Sequence, residues 1–304
     1  MENYKKNLQK VGQFISRNEG EFMIKEYRKK GGAEKNRFFI HKDCIRKTLE
    51  CCENVSGIKF MFGMTDLKDS DSKSLFLFPY NQFEGKISRD SIIPKNGYLN
   101  HSGLRFSIAE TMEQVACHIK YRMDNDRMGY KEVPRYVFFG KDSLNDLIST
   151  DNCEGVNGYL AINGNSEETI VFEVVGKNNK SLDIFFDYGG VDPGDYGNDP
   201  GECIYSLMVD SLYGSEDILR LSRNFRDKYL FESEKRMAFS ELYYLISPVV
   251  IRKTAGDTQK QIMEEFYELK IKALEKLIMN GEYSNAMEVL KNVLGELTET
   301  YADI

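Results

Sequence analysis

The chain has little of what the simplest functional classes need. No stretch approaches the roughly 18 consecutive apolar residues of a membrane helix. The opening MENYKKNLQK is polar, with no apolar segment behind it, so neither a membrane span nor a secretory leader is expected. Positive charge is not in excess: 41 Lys and Arg stand against 48 Asp and Glu, a net of -7. No global field exists to gather phosphate backbones, and nucleic acid is not an expected partner. No G-x-x-x-x-G-K-[ST] or G-x-G-x-x-G stands between a strand pattern and a helix pattern, so the backbone cradles for nucleotide phosphates are missing. The three histidines, His41, His101 and His118, are too scattered to supply the four grouped ligands of a structural zinc site. No cofactor is expected.

Six cysteines (Cys44, Cys51, Cys52, Cys117, Cys153 and Cys203) include no C-x-x-C pair. They read as reduced thiols in a cytoplasmic type of compartment. Adjacent Cys51 and Cys52 read as ordinary thiols, because a vicinal disulfide is strained.

What is present is enough apolar material for packed cores: 304 residues, 41% hydrophobic and 12% aromatic, compatible with one large domain or two to three small ones. The main organising feature is an internal duplication. Each copy opens with Ser and then Glu three residues on, Ser16 with Glu19 and Ser107 with Glu110, the reciprocal capping-box pattern of a helix start. In the second helix Ile108, Met112, Val115, Ala116, Ile119 and Met123 recur at the helical period. Both helices run into Tyr-Arg, at Tyr27-Arg28 and Tyr121-Arg122.

An aromatic strand led by Arg follows in each copy, Arg37-Phe38-Phe39-Ile40 and Arg135-Tyr136-Val137-Phe138-Phe139. Next come Lys42-Asp43 and Lys141-Asp142, where Asp is expected to N-cap a short helix carrying Ile45 and Leu49, or Leu144 and Ile148. The pattern Cys52-x-x-Val55-x-Gly57 matches Cys153-x-x-Val156-x-Gly158, and alternating strands follow at Ile58, Phe60, Phe62 and at Tyr159, Ala161. Further strands are expected at Leu75 to Phe78, Thr169 to Val175 and Leu182 to Phe186. The fold class is therefore α+β: two repeated helix-strand-helix-strands units with antiparallel sheets, then an all-helical C-terminal part.

The expected domains are a first repeat over residues 1–103, whose end links the copies, and a second over 104–187. An acidic Gly- and Pro-rich linker over 188–202 separates them from a helical region over 203–256 and a helical hairpin over 257–304 that turns at Gly281. Asp187, Asp192, Asp195 and Asp199 invite a metal reading. Their spacing fits no EF-hand loop, and acidic turn chemistry is the simpler account.

Within residues 203–251, Cys203-Ile204, Tyr213-Gly214-Ser215, Leu221, Phe225-Arg226-Asp227, Leu230, Phe239, Tyr243-Tyr244 and Ser247-Pro248 follow one another in order. This segment resembles the CFI-box C-terminal domain of otherwise unrelated bacterial proteins, and departs from it at the front, where the Phe and the Ala-Thr-Ala run are absent. The resemblance implies no activity. The duplicated unit is similar to a broad group of uncharacterised bacterial proteins, equally silent on function. Ser215 reads as a helix N-cap, and Arg226 with Asp227 as a buried pair fixing helix packing.

Two constellations invite chemistry. His41 and Cys44 stand close enough in sequence to suggest a thiolate nucleophile, yet the second copy has Gly140 and Ser143 there, and cap and turn chemistry explains the first equally well. Tyr27, Arg28 and Arg37, with Tyr121, Arg122 and Arg135, form a recurring set able to grip an anion by fork geometry. Because the set recurs, a structural job is simpler: Tyr packs and Arg pairs with a carboxylate such as Asp43 or Asp142. The expectation is a non-enzymatic interaction or scaffold protein, with a protein partner or self-association through the C-terminal helices. The competing expectations are a hydrolase or transferase with its site in the cleft between the copies, and, by analogy alone, a toxin or defence effector.

Overall fold

The computed structural model describes residues 8–30, 37–69, 72–81, 92–187, 189–191, 216–254, 256 and 259–301. The chain divides into two compact units at Gly194. Among the described residues, no helix is long and apolar enough to cross a membrane.

In the first unit, strand β1 (Gln13–Ile15) leads into helix α1 (Arg17–Lys29), strand β2 (Arg37–His41), helix α2 (Lys42–Leu49) and the hairpin β3 (Gly57–Met64) and β4 (Lys73–Tyr80). Short strands β5 (Tyr98–Asn100) and β6 (Arg105–Phe106) precede the second copy: α3 (Ile108–Asn125), β7 (Tyr136–Gly140), α4 (Lys141–Ile148), β8 (Gly155–Ile162) and β9 (Glu168–Val175). Strands β10 (Ser181–Asp187) and β11 (Gly190–Val191) close the unit. Part of the stretch expected only to link the copies therefore joins a sheet, through β5 against β4 and β6 against β5.

The two antiparallel sheets run in the orders β1-β10-β9-β8-β2 and β11-β7-β3-β4-β5-β6. Each sheet takes strands from both copies. The first copy's aromatic strand β2 pairs with the second copy's β8, and the second copy's β7 pairs with the first copy's β3. The copies thus exchange strands about a pseudo-twofold and build one sandwich rather than two separately paired sheets.

The exchange also fixes the alignment of the copies. Gly57 opposes Gly140 and Gly155 opposes His41, while Lys141 N–H donates to the Ser56 carbonyl at 2.8 Å and Lys42 N–H to that of Glu154 at 3.1 Å. Gly57 therefore corresponds to Gly155, not to Gly158 as the cysteine pattern suggests. The physical reason is close approach: a Cβ at Gly57 would press into the Phe139 carbonyl oxygen, and one at Gly155 into that of Ile40. Only glycine lets the exchanged strand come this near.

Ring contacts join the facing sheets. Phe60 lies 5.1 Å from Phe172, and Phe139 lies 5.0 Å from Phe172 and 5.6 Å from Phe186. Helices α2 and α4 pack on each other and add Ile45, Leu49, Leu144 and Leu147 to the same core. Outside the sandwich, α1 lies on β8, β9 and β10, burying Met23 and Ile24 against Ala161, Val171 and Phe185. In the same way α3 lies on β3 and β4.

The helix starts are as expected at Ser16 and Ser107. Each hydroxyl accepts from the N–H three residues on, and at Ser107 the Glu110 carboxylate completes the reciprocal box. The short helices differ from expectation. Asp43 and Asp142 sit inside the first turn, and the N-cap positions are His41 and Gly140. The His41 Nδ1 accepts from the Asp43 N–H at 3.2 Å, so the imidazole caps where Asp was expected to.

The second unit is helical throughout its described residues: α5 (Glu216–Lys228), α6 (Glu234–Thr254), α7 (Gln259–Phe266), α8 (Lys272–Met279) and α9 (Tyr283–Tyr301). A π-helical turn, Tyr267–Ile271, joins α7 to α8 where one continuous helix was expected. Gly281, at φ +75°, receives the reversal, with its N–H on the Ile278 carbonyl and that of Glu282 on Leu277, a Schellman closure. Arg226 donates to the Tyr244 hydroxyl and to Asp227, each at 2.7 Å, tying α5 to α6. The Asp227 side chain is half exposed, so this pair is not the buried one expected. Ser215 and Cys203 lie outside the described residues.

Candidate functional site

The recurring Tyr and Arg set separates by position. At the C-terminal end of α3, Arg122 makes a bidentate pair with Glu168 on β9, Nη1 to Oε2 at 2.8 Å and Nη2 to Oε1 at 2.6 Å, and its Nε meets Asp126. Glu168, at the head of β9, thus takes the place expected of Asp142. At the matching end of α1, the Tyr27 hydroxyl accepts from Lys73 Nζ at 3.3 Å, and Lys73 heads β4 as Glu168 heads β9. The strand heads are related by the duplication, but they meet different members of the Tyr-Arg pair, one in an ion pair and the other as an ammonium on a phenol.

They also share a neighbourhood. Burial raises the Tyr27 phenol above its usual range, and Glu168 adds to the shift while Arg122 opposes it. His118, one turn before Arg122, is buried, with its ring 5.6 Å from that of Phe62. Burial first, then Arg122 and Lys73, push its imidazole down to about 3, against a small opposing pull from the Pro134 carbonyl. His118 is therefore neutral at ordinary pH. Its two ring nitrogens are buried without a well-formed hydrogen bond.

Arg135 does not join an anion grip. It is fully buried, its Nη1 donating to the carbonyls of Tyr130 and Val133 at 3.1 Å each, and its guanidinium lies 4.4 Å from the centre of the Tyr130 ring. Tyr121 is half-buried beside this junction, whereas Arg28 and Arg37 are exposed. Asp43 pairs with Arg46 at 2.9 Å rather than with any of the recurring arginines. Of the set expected to recur with one role, Tyr27 and Arg122 instead tie, each within its own copy, an outer helix to the head of a strand in the sheet it does not lie on.

His41 and Cys44 are each engaged or tuned locally. The His41 ring turns to its own helix start, with Nδ1 on the Asp43 N–H. Cys44 has its thiol raised by burial, with Asp43 adding to the shift and Lys47 opposing it, the opposite of what an activated nucleophile needs. The Cys51 and Cys52 sulfurs stand 3.6 Å apart as free thiols.

His41 does line an open recess of about 500 Å³ with Phe39, Glu154 and the turn Gly176, Lys177, Asn178 and Asn179. Asn178 and Asn179 hold that turn at φ 58° and 60°, the left-handed region asparagine tolerates. Across the ladder from Phe39 stands Asn157, almost fully buried, whose Nδ2 donates to Glu173 at 3.3 Å while its Oδ1 has no partner. The Asn-Asn pair is a turn signal that the sequence reading passed over. Nothing local marked Glu154 or Asn157 as its neighbours.

Of the acidic stretch, Asp187 ends β10 and is buried, accepting from the Thr169 hydroxyl at 2.8 Å. Asp192, Asp195 and Asp199 lie outside the described residues. Among the described residues no three His, Cys, Asp or Glu side chains gather as a metal site would require.

Comparison with known protein families, with curated proteins and with solved structures finds no match to this chain.

Proposed function

We propose that the protein works by binding, as a non-enzymatic interaction or scaffold protein whose strand-exchanged sandwich and helical unit present surfaces to a partner or to another copy. The observation that carries this reading is the state of the reactive side chains. Burial raises the thiols of Cys44 and Cys153, raises the phenol of Tyr27 and lowers the imidazoles of His101 and His118. The thiol and phenol shifts favour the protonated form, the opposite of what an activated nucleophile needs, and the His118 imidazole is held neutral inside the fold, away from any substrate. The arginines able to grip an anion are engaged inside the fold or stand apart on the surface.

The resemblance of residues 203–251 to the CFI-box domain supports a bacterial chain with a helical accessory module. Arg226, Asp227 and Tyr244, three of its matching residues, meet in the hydrogen bonds by which Arg226 ties α5 to α6. The cysteines, which include no C-x-x-C pair, support a cytoplasmic setting.

Affinity purification of the tagged chain from its native host, with light scattering of the pure protein, tests the reading. A discrete partner or a defined oligomer is the expected result. A hydrolase or transferase activity in the pure chain that His41→Ala with Cys44→Ala abolishes would replace it with the enzymatic reading.

A further inference from the structure

The duplication allows a comparison of two sheet edges within one molecule. In β7 the residues facing β3 alternate with those facing away, and the outward ones are met by the chain itself: Phe138 by Gly190 of β11, and the Gly140 N–H by the Val11 carbonyl at 2.8 Å. The equivalents in β2 are Phe39 and His41. The Lys42 N–H bonds to Glu154, just before β8, so the Phe39 N–H and C=O and the His41 N–H face away from the sheet. Strand β2 ends its sheet, and among the described residues none takes these three groups. The side chains diverge as well: Phe138 is buried, while Phe39 and His41 are half-buried on the open recess with Lys177 and Glu154.

We propose that the outer edge of β2 binds an extended, acidic segment of a partner protein as an added strand, one side chain entering the recess beside Phe39 and His41. The proposal rests on the binding reading above and names its site. An extended backbone is the occupant because the duplicate edge already holds one, formed by β11 and Val11. The acidic character follows from the ends of the edge: exposed Arg37 at one and Lys177 in the recess at the other stand beside the carboxylate of Glu154, while the two further carboxylates nearby are engaged, Asp43 by Arg46 and Glu173 by Asn157 and Tyr159. A second copy is the poorer fit. Antiparallel pairing of β2 with itself about Phe39 would set Arg37 against His41, an imidazole already turned to its own helix start, and Asp43 beside it is paired with Arg46.

The test uses the full chain and two labelled, end-capped decapeptides that alternate Val with Glu or Val with Lys, read by fluorescence anisotropy. A third probe is the Glu peptide N-methylated at alternate residues, which removes its edge N–H groups. The Glu peptide is expected to bind and the methylated one to fail. Phe39→Pro removes one outward N–H and leaves the inward groups of Phe38 and Ile40 on β8, so it should weaken binding by about tenfold or more. Arg37→Glu should reverse the preference toward the Lys peptide. If Phe39→Pro lowers the melting temperature, protection of the Phe39 and His41 amides from exchange on adding the Glu peptide to the unaltered chain decides in its place.

Equal binding of the methylated and unmethylated peptides, or no protection of those amides, overturns the strand proposal. So does a dimer that Phe39→Pro dissolves, which would make the occupant a second copy. A native partner retained at full affinity by Phe39→Pro also overturns it while leaving the binding reading intact. A monomeric chain with no partner removes the binding reading itself.

Discussion

His118 makes the stability of the strand-exchanged unit depend on pH in a range where carboxylates stay ionised. In the folded chain its imidazole titrates at about 3, and in the unfolded chain near its ordinary value of 6.5. The unfolded state therefore binds the proton first, and stability is complete above pH 6.5 and falls as the pH drops from there toward 3. At pH 5 the unfolded imidazole is protonated and the folded one is not, a loss of about 2 kcal/mol at roughly 1.4 kcal/mol per pH unit. Burial also lowers His101, which adds a loss of the same sign. His118→Met removes the titrating group and keeps an apolar side chain against Phe62. Urea midpoints at pH 7.5 and pH 5, read by pulsed hydrogen exchange on peptides covering β3 and β9, give the free energies for both chains. The original chain should lose about 2 kcal/mol more than the variant between the two pH values. His101 and the carboxylates cancel in that difference. Parallel losses in the two chains would refute the reasoning.

Other substitutions test the remaining contacts. Glu168→Gln leaves the mostly buried Arg122 with only Asp126 as a charged partner, and should destabilise the unit by about 2–4 kcal/mol in chemical unfolding, whereas Arg122→Met with Glu168→Leu should recover most of that loss. Gly57→Ala and Gly155→Ala should each cost about 1–3 kcal/mol and to a similar extent, since each Cβ would press on an exchanged strand's carbonyl, while Gly158→Ala, with looser neighbours, should cost less. Gly281→Ala should lower helical-unit stability by about 1–2 kcal/mol, because φ +75° is unfavourable for alanine.

Features written in short stretches of sequence were legible there: the Ser-x-x-Glu helix starts, the apolar stripe of α3 and the glycine that turns the C-terminal hairpin. Strand exchange was not, because local alternation shows which face of β2 is apolar and is silent about which distant strand completes its ladder. The alignment of the copies failed for a related reason. Cys52 and Cys153 share a side chain, but the backbone register is set at Gly57 and Gly155, where only the facing strand reveals why no Cβ fits. Tyr27 and Arg122 were visible as members of the recurring Tyr-Arg pairs. Their partners Lys73 and Glu168 were missed because equivalent strand heads carry opposite charges, which no search for identity finds.

The exchanged ladders also set a timetable for synthesis. Lys42 waits for the carbonyl of Cys153, 111 residues further along, before its ammonium finds its partner in the fold. Until β8 has left the ribosome, β2 has neither edge satisfied, and the sheet that β3 and β4 build with β5, β6 and β7 lacks the facing sheet that covers it. Such distant closures are slow. The first half of the chain is thus the stretch most exposed to chaperone capture or misassociation with another nascent chain, and a pause in translation between residues 60 and 150 should lower the yield of folded protein more than one placed after β10.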